Sequence, residues 1–405
     1  HMWTRRQRQM CIRDRLDTSQ AVTALSGSQL LELGLNNIRD LNNMIPGLYV
    51  QNTDTNAPII TLRGIRTENV TELGDPAVGI HVDGVYVARP QAANALMFDL
   101  ERTELTRGPQ GTLYGRNSVV GTLNIVTAKP NFDIQGGSLN LVGGQLSEAG
   151  LRAHYNLPIN EKLALRFAYM EQSKDSFLDG FWDGSQLDWR RLPSNVRDQF
   201  EVITSPDQRS YLSDYAWYLG CSTLPGNGCG QGNFSDPYNK ISADPSEFYT
   251  AIEDSAWRIS ATYVVDDNSD LNIQFENYED NGKGWTNVLS CELMRTRTGI
   301  TAKDGPANTC TDILGSENRY QSFANTPGFN KMNIDSFRAI YKRQLNETTN
   351  LTVNYGYQEL EQSSQFEIDG GVNYQYGMAF NINRLLTESN VLDAYITGAN
   401  QEWAW

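Results

Sequence analysis

Five cysteines and three histidines are the residues of this sequence with the widest chemical range. Cys221 and Cys229 bracket one polar, glycine-containing stretch, and Cys291 and Cys310 bracket a second. Close pairs inside loop-like segments are typical of disulfides that stabilise loops in an oxidising compartment, with free thiols as the alternative. The cysteine and histidine spacings do not fit a zinc site, so we expect no bound metal. The pattern predicts the disulfides Cys221–Cys229 and Cys291–Cys310.

No combination of side chains in the sequence forms a recognisable catalytic site. A serine–histidine–acid arrangement would need His81 or His154, and neither lies near a nucleophile motif. Carboxylates are numerous, but a two-carboxylate glycosidase pair requires a separation that a sequence does not show. We therefore predict that the protein is not an enzyme and that it has no cofactor.

A glycine-punctuated segment, residues 101–127, reads ERTELTRGPQGTLYGRNSVVGTLNIVT. A phosphate-binding loop is the weaker interpretation, because neither G-x-G-x-x-G nor G-x-x-x-x-G-K-[ST] fits and no helix start follows at the required place. We expect the glycines to serve sharp bends or close approaches between backbones. The positions concerned are Gly108 with Pro109, Gly111, Gly115 and Gly121.

Composition restricts the class of protein. The chain has 405 residues and a formal net charge of −15, which argues against a nucleic-acid partner. No uncharged apolar run reaches the ~18 residues of a membrane-spanning helix, so a membrane-crossing form would have to be a β-barrel. Residues 1–15 lack the apolar region of a signal peptide. Because residues 10–15 resemble a translated sequencing adapter, we expect this head to be an assembly artefact or a disordered basic tail.

Residues 16–130 predict a small α+β domain. Cap and stop signals indicate two short helices, one after Ser26 and one after Asn37. Asp83-Gly84 between two apolar runs is a strong hairpin signal. A domain of about 115 residues can hold its own core. The predicted strands cover 48–50, 59–62, 78–82, 85–87, 103–106 and 123–127.

From residue 131 onward, apolar and polar residues alternate in strand after strand. Short connections alternate with long polar loops, at about 172–252, 280–331 and from 362, so the long loops fall on one side. This parity is typical of an outer-membrane barrel with short periplasmic turns and long extracellular loops. A soluble sandwich would alternate too, but it would need a second sheet over its apolar face. The predicted strands cover 137–144, 151–157, 163–169, 257–263, 271–275, 337–341 and 351–357.

Three stretches carry a family resemblance. The motifs ITLRGI at 60–65, AVGIHVDGVY at 77–86 and the segment 101–127 resemble, in this order, the plug domain of TonB-dependent outer-membrane receptors. Gly64 and Gly84 are the turn glycines of the first two motifs. Val120 is a departure, since the family usually has a second glycine before Gly121.

The resemblance implies a fold and a location. The expected architecture is an α+β plug domain at 16–130, followed by the N-terminal part of an antiparallel transmembrane β-barrel at 131–405. We expect seven strands and part of an eighth, against ~22 in plugged outer-membrane transporters, and therefore a fragment. The location implied is the outer membrane of a Gram-negative bacterium, in contact with lipid. Because open sheet edges promote aggregation, we expect 16–130 alone to be soluble and 131–405 alone not to be.

The resemblance also implies a function. Receptors of this family take up large, scarce solutes, and the partner protein TonB supplies the energy by pulling on an N-terminal box that is not visible here. The commonest cargo is an iron–siderophore complex or a similar metal chelate. Cobalamin, haem or an oligosaccharide are alternatives, as are a surface receptor that signals without transport and a secreted β-sandwich enzyme or adhesin.

Two groups of site residues follow from the match. Arg63 and Arg107 match family arginines that tie the plug to glutamates of the barrel wall, because a buried arginine needs a carboxylate partner. The plug apices, 66–75 and 88–94, would face the ligand, although solvated loop charges are the alternative for each residue. The candidate ligand-binding residues are Arg66, Glu68, Asn69, Glu72, Arg89 and Gln91.

Overall fold

The computed structural model describes a large part of the chain. The described residues form a five-stranded, an eight-stranded, a three-stranded and a two-stranded sheet. The described residues are 21–35, 37–52, 58–67, 76–92, 97–109, 111, 117–183, 240–242, 246, 249–284, 321–322, 328–367 and 379–398.

Two short helical segments lie where the cap signals predict them. The helix α1 covers Gly27–Glu32, and a 3-10 helix covers Ile38–Asn43. Asn37 caps the second segment reciprocally with Asp40, as Ser26 caps α1 with Gln29. No helix among the described residues combines the length and the apolar character needed to cross a membrane.

The capping box of α1 gives a first testable expectation. The Ser26 hydroxyl accepts a hydrogen bond from the Gln29 backbone N–H at 3.3 Å, and the Gln29 side chain accepts one from the Ser26 N–H at 3.0 Å. We expect Ser26→Ala to destabilise α1 by about 1 kcal/mol, because a helix N-terminal N–H group loses its acceptor. Hydrogen exchange should accelerate roughly fivefold in peptides covering 27–33. Ser28→Ala is the control, and equal exchange in both variants would contradict the capping role.

Seven strands form the N-terminal part of the fold. The five-stranded sheet has the order β1-β6-β7-β4-β5, in which only the β4–β7 pair is parallel. The β4–β5 hairpin confirms the Asp83-Gly84 signal, since φ values of 52° and 86° match a turn that needs two left-handed residues. β1 was not predicted. The strands are β1 (Ala21–Ser26), β2 (Leu48–Asn52), β3 (Pro58–Leu62), β4 (Val78–Val82), β5 (Val85–Tyr86), β6 (Leu100–Arg107) and β7 (Gly121–Thr127).

A core of aliphatic side chains joins these elements into what we call the N-terminal unit, the described residues from 21 to 127. The 3-10 helix contributes Ile38 and Leu41, which are fully buried against the sheet strands. Inward residues of β3, β4, β6 and β7 add most of the other apolar side chains of the same cluster. These include Leu62, Ile80, Leu105, Leu123 and Ile125.

The eight-stranded sheet confirms the predicted antiparallel architecture. Its strands follow one another in sequence order, and each pairs antiparallel with its neighbour. The eighth strand covers 20 residues. β17 runs on to Glu367, so the prediction that a long loop begins near 362 was wrong by several residues, because residues 361–367 pair with the eighth strand. The strands are β8 (Gly136–Gly143), β9 (Ala149–Pro158), β10 (Leu163–Lys174), β13 (Ile252–Asp266), β14 (Ser269–Asp280), β16 (Phe329–Asn346), β17 (Thr349–Glu367) and β18 (Ala379–Gly398).

Short strands outside this sheet lie within two of the predicted long loops. They form the three-stranded sheet, with the order β12-β11-β15. Most of the remaining residues of these loops, including all four paired cysteines, lie outside the described residues, so the two disulfides stay predictions. The three strands are β11 (Asp179–Asp183), β12 (Lys240–Ser242) and β15 (Gln321–Ser322).

The eight-stranded sheet has its apolar face outside and its polar face inside. On β13, Trp257 and Ile259 are each 41% exposed, whereas Arg258 between them is 1% exposed. On β14, Phe275 is 51% exposed and its neighbours Gln274 and Glu276 are buried. This is the reverse of a soluble sheet, in which the apolar residues are buried and the charges are solvated.

Candidate functional site

The N-terminal unit lies against the inner face of the eight-stranded sheet. The β4–β5 hairpin contacts β17, where a Cβ added to Gly356 would lie 2.4 Å from Val85 Cγ1. Glycine at 356 therefore lets the hairpin rest directly on the strand. Apolar residues of the inner face extend the core of the N-terminal unit; these are Ala168, Met170, Ala256, Tyr278, Met332, Ile334 and Leu360.

A cluster of four polar side chains occupies the middle of the inner face. We call Arg258, Gln274, Glu276 and Arg338 the polar wall. The Glu276 carboxylate is 2% exposed and accepts hydrogen bonds from Arg258 Nε and, at 3.0 Å, from Arg338 Nη2. Arg338 also donates to Gln274 Oε1 at 3.1 Å. The two buried arginines are thus neutralised in part by one carboxylate, as buried charges require.

The polar wall contacts the N-terminal unit at two points. Arg258 Nη1 donates to the backbone oxygen of Phe98 at 3.1 Å, and the guanidinium lies over the Phe98 ring at 4.3 Å from its centroid. Gln274 Nε2 donates to Thr127 Oγ1 at 2.9 Å. The two points are neighbours, since the Ala128 N–H donates to the Asp99 backbone oxygen.

Asp99 carries the main ion pair between the N-terminal unit and the eight-stranded sheet. Its side chain is 8% exposed and accepts two hydrogen bonds from Arg166, one of them from Nε at 2.8 Å. Its φ of 48° is left-handed, a conformation that aspartate tolerates better than most residues. This two-point geometry is the strong form of an arginine–carboxylate pair.

The two arginines predicted to tie the plug to barrel glutamates lie elsewhere. Arg63 is exposed, and its backbone N–H donates to the Gly47 carbonyl at 2.8 Å. Arg107 Nη2 donates to Thr23 Oγ1 at 2.9 Å, between β6 and β1. Among the described residues, neither arginine forms an ion pair with a glutamate of the eight-stranded sheet, so that role stays a prediction.

Three of the six candidate ligand-binding residues lie among the described residues. Arg66 is exposed and Arg89 is half-buried. Gln91 is 6% exposed, so a ligand would reach it only after a rearrangement. Glu68, Asn69 and Glu72 lie outside the described residues. Ligand binding by all six stays a prediction, and no group of described His, Cys, Asp and Glu side chains could hold a metal ion.

The motif glycines fall into two classes. Gly64, Gly84 and Gly108 have φ values of 80°, 86° and 102°, which suits turn positions. Gly121 instead lies within β7, where an added Cβ would be 2.4 Å from the Thr106 carbonyl oxygen. Pro109 follows Gly108 directly, and an added Cβ at Gly111 would meet no atom of the described residues within 4 Å. Gly115 lies outside the described residues.

Sequence reasoning missed Asp99, Arg166 and the polar wall. A signal was available, because Arg166, Arg258, Glu276 and Arg338 all occupy the polar register of strands whose other face is apolar. A charge in the middle of such a strand, far from both ends, is expected to find a buried partner. What the sequence did not show is which loop of the N-terminal unit supplies that partner.

A family model matches the N-terminal part of the chain. Residues 14–122 match the TonB-dependent Receptor Plug Domain. The pesticin receptor of Yersinia pestis is 35% identical over 144 residues, which are 35% of this chain and 20% of that receptor. The ferrioxamine B receptor of Salmonella typhimurium is 28% identical over 169 residues, or 40% of this chain and 23% of that receptor.

Solved structures resemble the chain over nearly its whole length. The ferric yersiniabactin uptake receptor of Yersinia pestis has a TM-score of 0.63 at 15% identity, covering 95% of this chain and 46% of that one. The ferripyoverdine receptor of the outer membrane of Pseudomonas aeruginosa has a TM-score of 0.59 at 16% identity, covering 95% and 40%. At these identities the likeness is one of fold, and the chain spans less than half the length of either receptor.

The family match, the antiparallel sheet and the unit resting against its polar face agree with one another. These relatives are named as receptors and not as enzymes. Residues 14–122 are thus a plug domain of the kind found in TonB-dependent receptors, and the eight-stranded sheet has the fold of part of the barrel in such receptors.

Proposed function

We propose that this chain is the plug and the N-terminal part of the barrel of an outer-membrane transporter that takes up a ferric siderophore or a similar metal chelate. The plug would comprise 16–130 and the barrel part 131–405, with 1–15 outside both. Lipid would contact the barrel surface, and TonB would supply the energy from the inner-membrane proton gradient.

The reversed burial of the eight-stranded sheet is the observation that carries this proposal. Its outward face exposes Phe167, Trp257, Tyr263 and Phe275 together, each at least 40% exposed. An apolar face of this size must be covered by either a second sheet or lipid. The plug does not cover it, because the plug lies on the inner face. Lipid on the outside and a plug on the inside are the arrangement of a gated outer-membrane pore.

The cargo is inferred from the relatives and from charge. Their names specify ferrioxamine B, ferripyoverdine and ferric yersiniabactin, all of them iron chelates, while another is named for pesticin. Many ferric chelates are anionic, and the exposed apex residue Arg66 would attract them. Arg89, in the second predicted apex, would add a further positive charge.

Growth on iron tests this function. In a Gram-negative strain without siderophores or siderophore receptors of its own, the full-length gene that contains this coding region should restore growth on at least one ferric siderophore, and only when TonB is present. Growth on cobalamin, haem or an oligosaccharide instead would favour the alternative cargoes. Induction of a reporter gene without uptake of labelled iron would favour a signalling receptor.

The apex arginine can be tested in the same strain. We expect Arg66→Ala to weaken binding of the accepted ferric siderophore by roughly tenfold, because a hydrogen bond to a charged group is lost. Lys162→Ala, in the short turn at the opposite end of the barrel, is the matched loss of one positive charge. Equal binding by the two variants would remove Arg66 from the ligand site.

A further inference from the structure

A continuous chain of hydrogen bonds runs from one plug loop, through the polar wall, to another plug loop. At one end Thr127 Oγ1 donates to Asp83 Oδ2 at 2.6 Å, and Gln274 Nε2 donates to the same hydroxyl at 2.9 Å. At the other end Arg258 donates to the Phe98 and Asp99 carbonyls at 3.1 and 3.3 Å.

The donor and acceptor roles along this chain agree at every step. Gln274 donates through its amide nitrogen and accepts from Arg338 through its oxygen. Arg338 and Arg258 both donate to Glu276, which accepts only. Each group therefore uses the role that its neighbour requires, and the links strengthen one another in a site with little water.

We propose that this chain is an anchor that holds the plug against the barrel wall, with Glu276 and Asp99 as its two essential carboxylates. Glu276 fixes Arg258, which reaches the plug directly, and Arg338, which holds the Gln274 amide that donates to Thr127. Asp99 accepts from Arg166 through its side chain and from Arg258 through its carbonyl, and thus links the loop before β6 to β10 and β13. The anchor does not depend on which cargo is transported.

Loss of either carboxylate should release the plug locally rather than unfold it. Without the Glu276 charge, two arginines with 1% and 5% exposed side chains lack a buried anion, so they are expected to turn away from the plug. Without the Asp99 charge, Arg166 loses its bidentate partner. The aliphatic core of the plug is formed by other residues, so we expect it to stay intact.

Thiol labelling can separate release from unfolding. A cysteine at Val85, which is 6% exposed on the hairpin that rests on β17, reports release. A cysteine at Leu105, 1% exposed inside the plug, reports unfolding. Each reporter is placed alone in the full chain, folded in detergent, with the five native cysteines replaced by serine. The rate of reaction with a maleimide is then measured.

The test compares Asp99→Asn and Glu276→Gln with matched charge removals at exposed positions. The controls are Glu101→Gln on β6 and Glu279→Gln on β14. We expect both test variants to label Val85→Cys roughly tenfold faster than the controls, with Leu105→Cys changed less than twofold. The double variant should accelerate labelling by less than the product of the two single effects, because Arg166 and Arg258 hold the same loop at Phe98 and Asp99.

Three results would overturn the anchor. An unchanged Val85→Cys rate in both test variants would show that the plug is held elsewhere. Equal acceleration of labelling at both reporters would show that the two carboxylates stabilise the fold of the plug and not its contact with the barrel wall. Fully additive effects in the double variant would show two independent contacts. Should Glu276→Gln fail to fold, Asp99→Asn with the two reporters decides the question alone.

Discussion

The substitution Ile259→Arg is expected to destabilise the membrane-inserted protein by about 2–4 kcal/mol, the usual cost of a charge on the lipid face at the bilayer midplane. Ile259 lies in the middle of β13, and its side chain is 41% exposed on the apolar face. In lipid this face has no water to solvate a guanidinium, so the side chain must reach for the interface or distort the bilayer.

Val265→Arg is the matched control for Ile259→Arg. Val265 lies on the same strand and face and is also 41% exposed, but it is next to the short turn, where the cost of a charge falls to about 0–1 kcal/mol. The free energy of unfolding is measured by urea titration of the chain refolded into lipid bilayers. Equal stability of the two variants, or a gain in solubility without lipid for both, would support a soluble sheet instead.

Much of the fold was predictable because the β period is two. Alternation at Trp257, Ile259 and Tyr263 identified the apolar face of β13, and the same rule found six further strands of the sheet. Their bounds were less accurate, since β16 begins at Phe329 and β17 ends at Glu367, well outside the predicted 337–341 and 351–357. β1 was missed since its residues, AVTALS, alternate weakly and owe their strand conformation to pairing with β6. Such pairing is a non-local effect that no local pattern encodes.

The plug–barrel contacts were harder to predict. The motif match directed attention to Arg63 and Arg107, two cations on the plug. In the structure the described cations of the contact are on the barrel, and the plug contributes Asp99. Asp99 has no glycine beside it that would mark a turn in the sequence. Its role depends on a left-handed backbone conformation, which directs its carboxylate to Arg166 on β10 and its carbonyl to Arg258 on β13.

Gly121→Ala is expected to destabilise the plug by up to about 3 kcal/mol, the upper range for overpacking a well-packed core. The new methyl group would lie 2.4 Å from the Thr106 carbonyl oxygen and 2.5 Å from Leu62 Cδ2. The first neighbour is backbone of the paired strand β6, which cannot move without loss of the β6–β7 register. Hydrogen exchange in peptides covering 100–107 and 121–127 should accelerate by up to roughly 150-fold.

Gly111→Ala is the control, since an added Cβ there meets no atom of the described part of the chain within 4 Å and the Gly111 φ is not left-handed. Gly111 lies in the same motif as Gly121. Comparing the two variants therefore shows whether the effect comes from close packing or from the loss of any glycine of the motif. If both variants exchange alike, close packing does not require glycine at position 121, and the proposed clash of an added methyl group with β6 and Leu62 is refuted. If only Gly121→Ala opens the sheet, the signature glycine is required for close packing. Val120, the departure from the family pattern, is 7% exposed and lies in the core beside it.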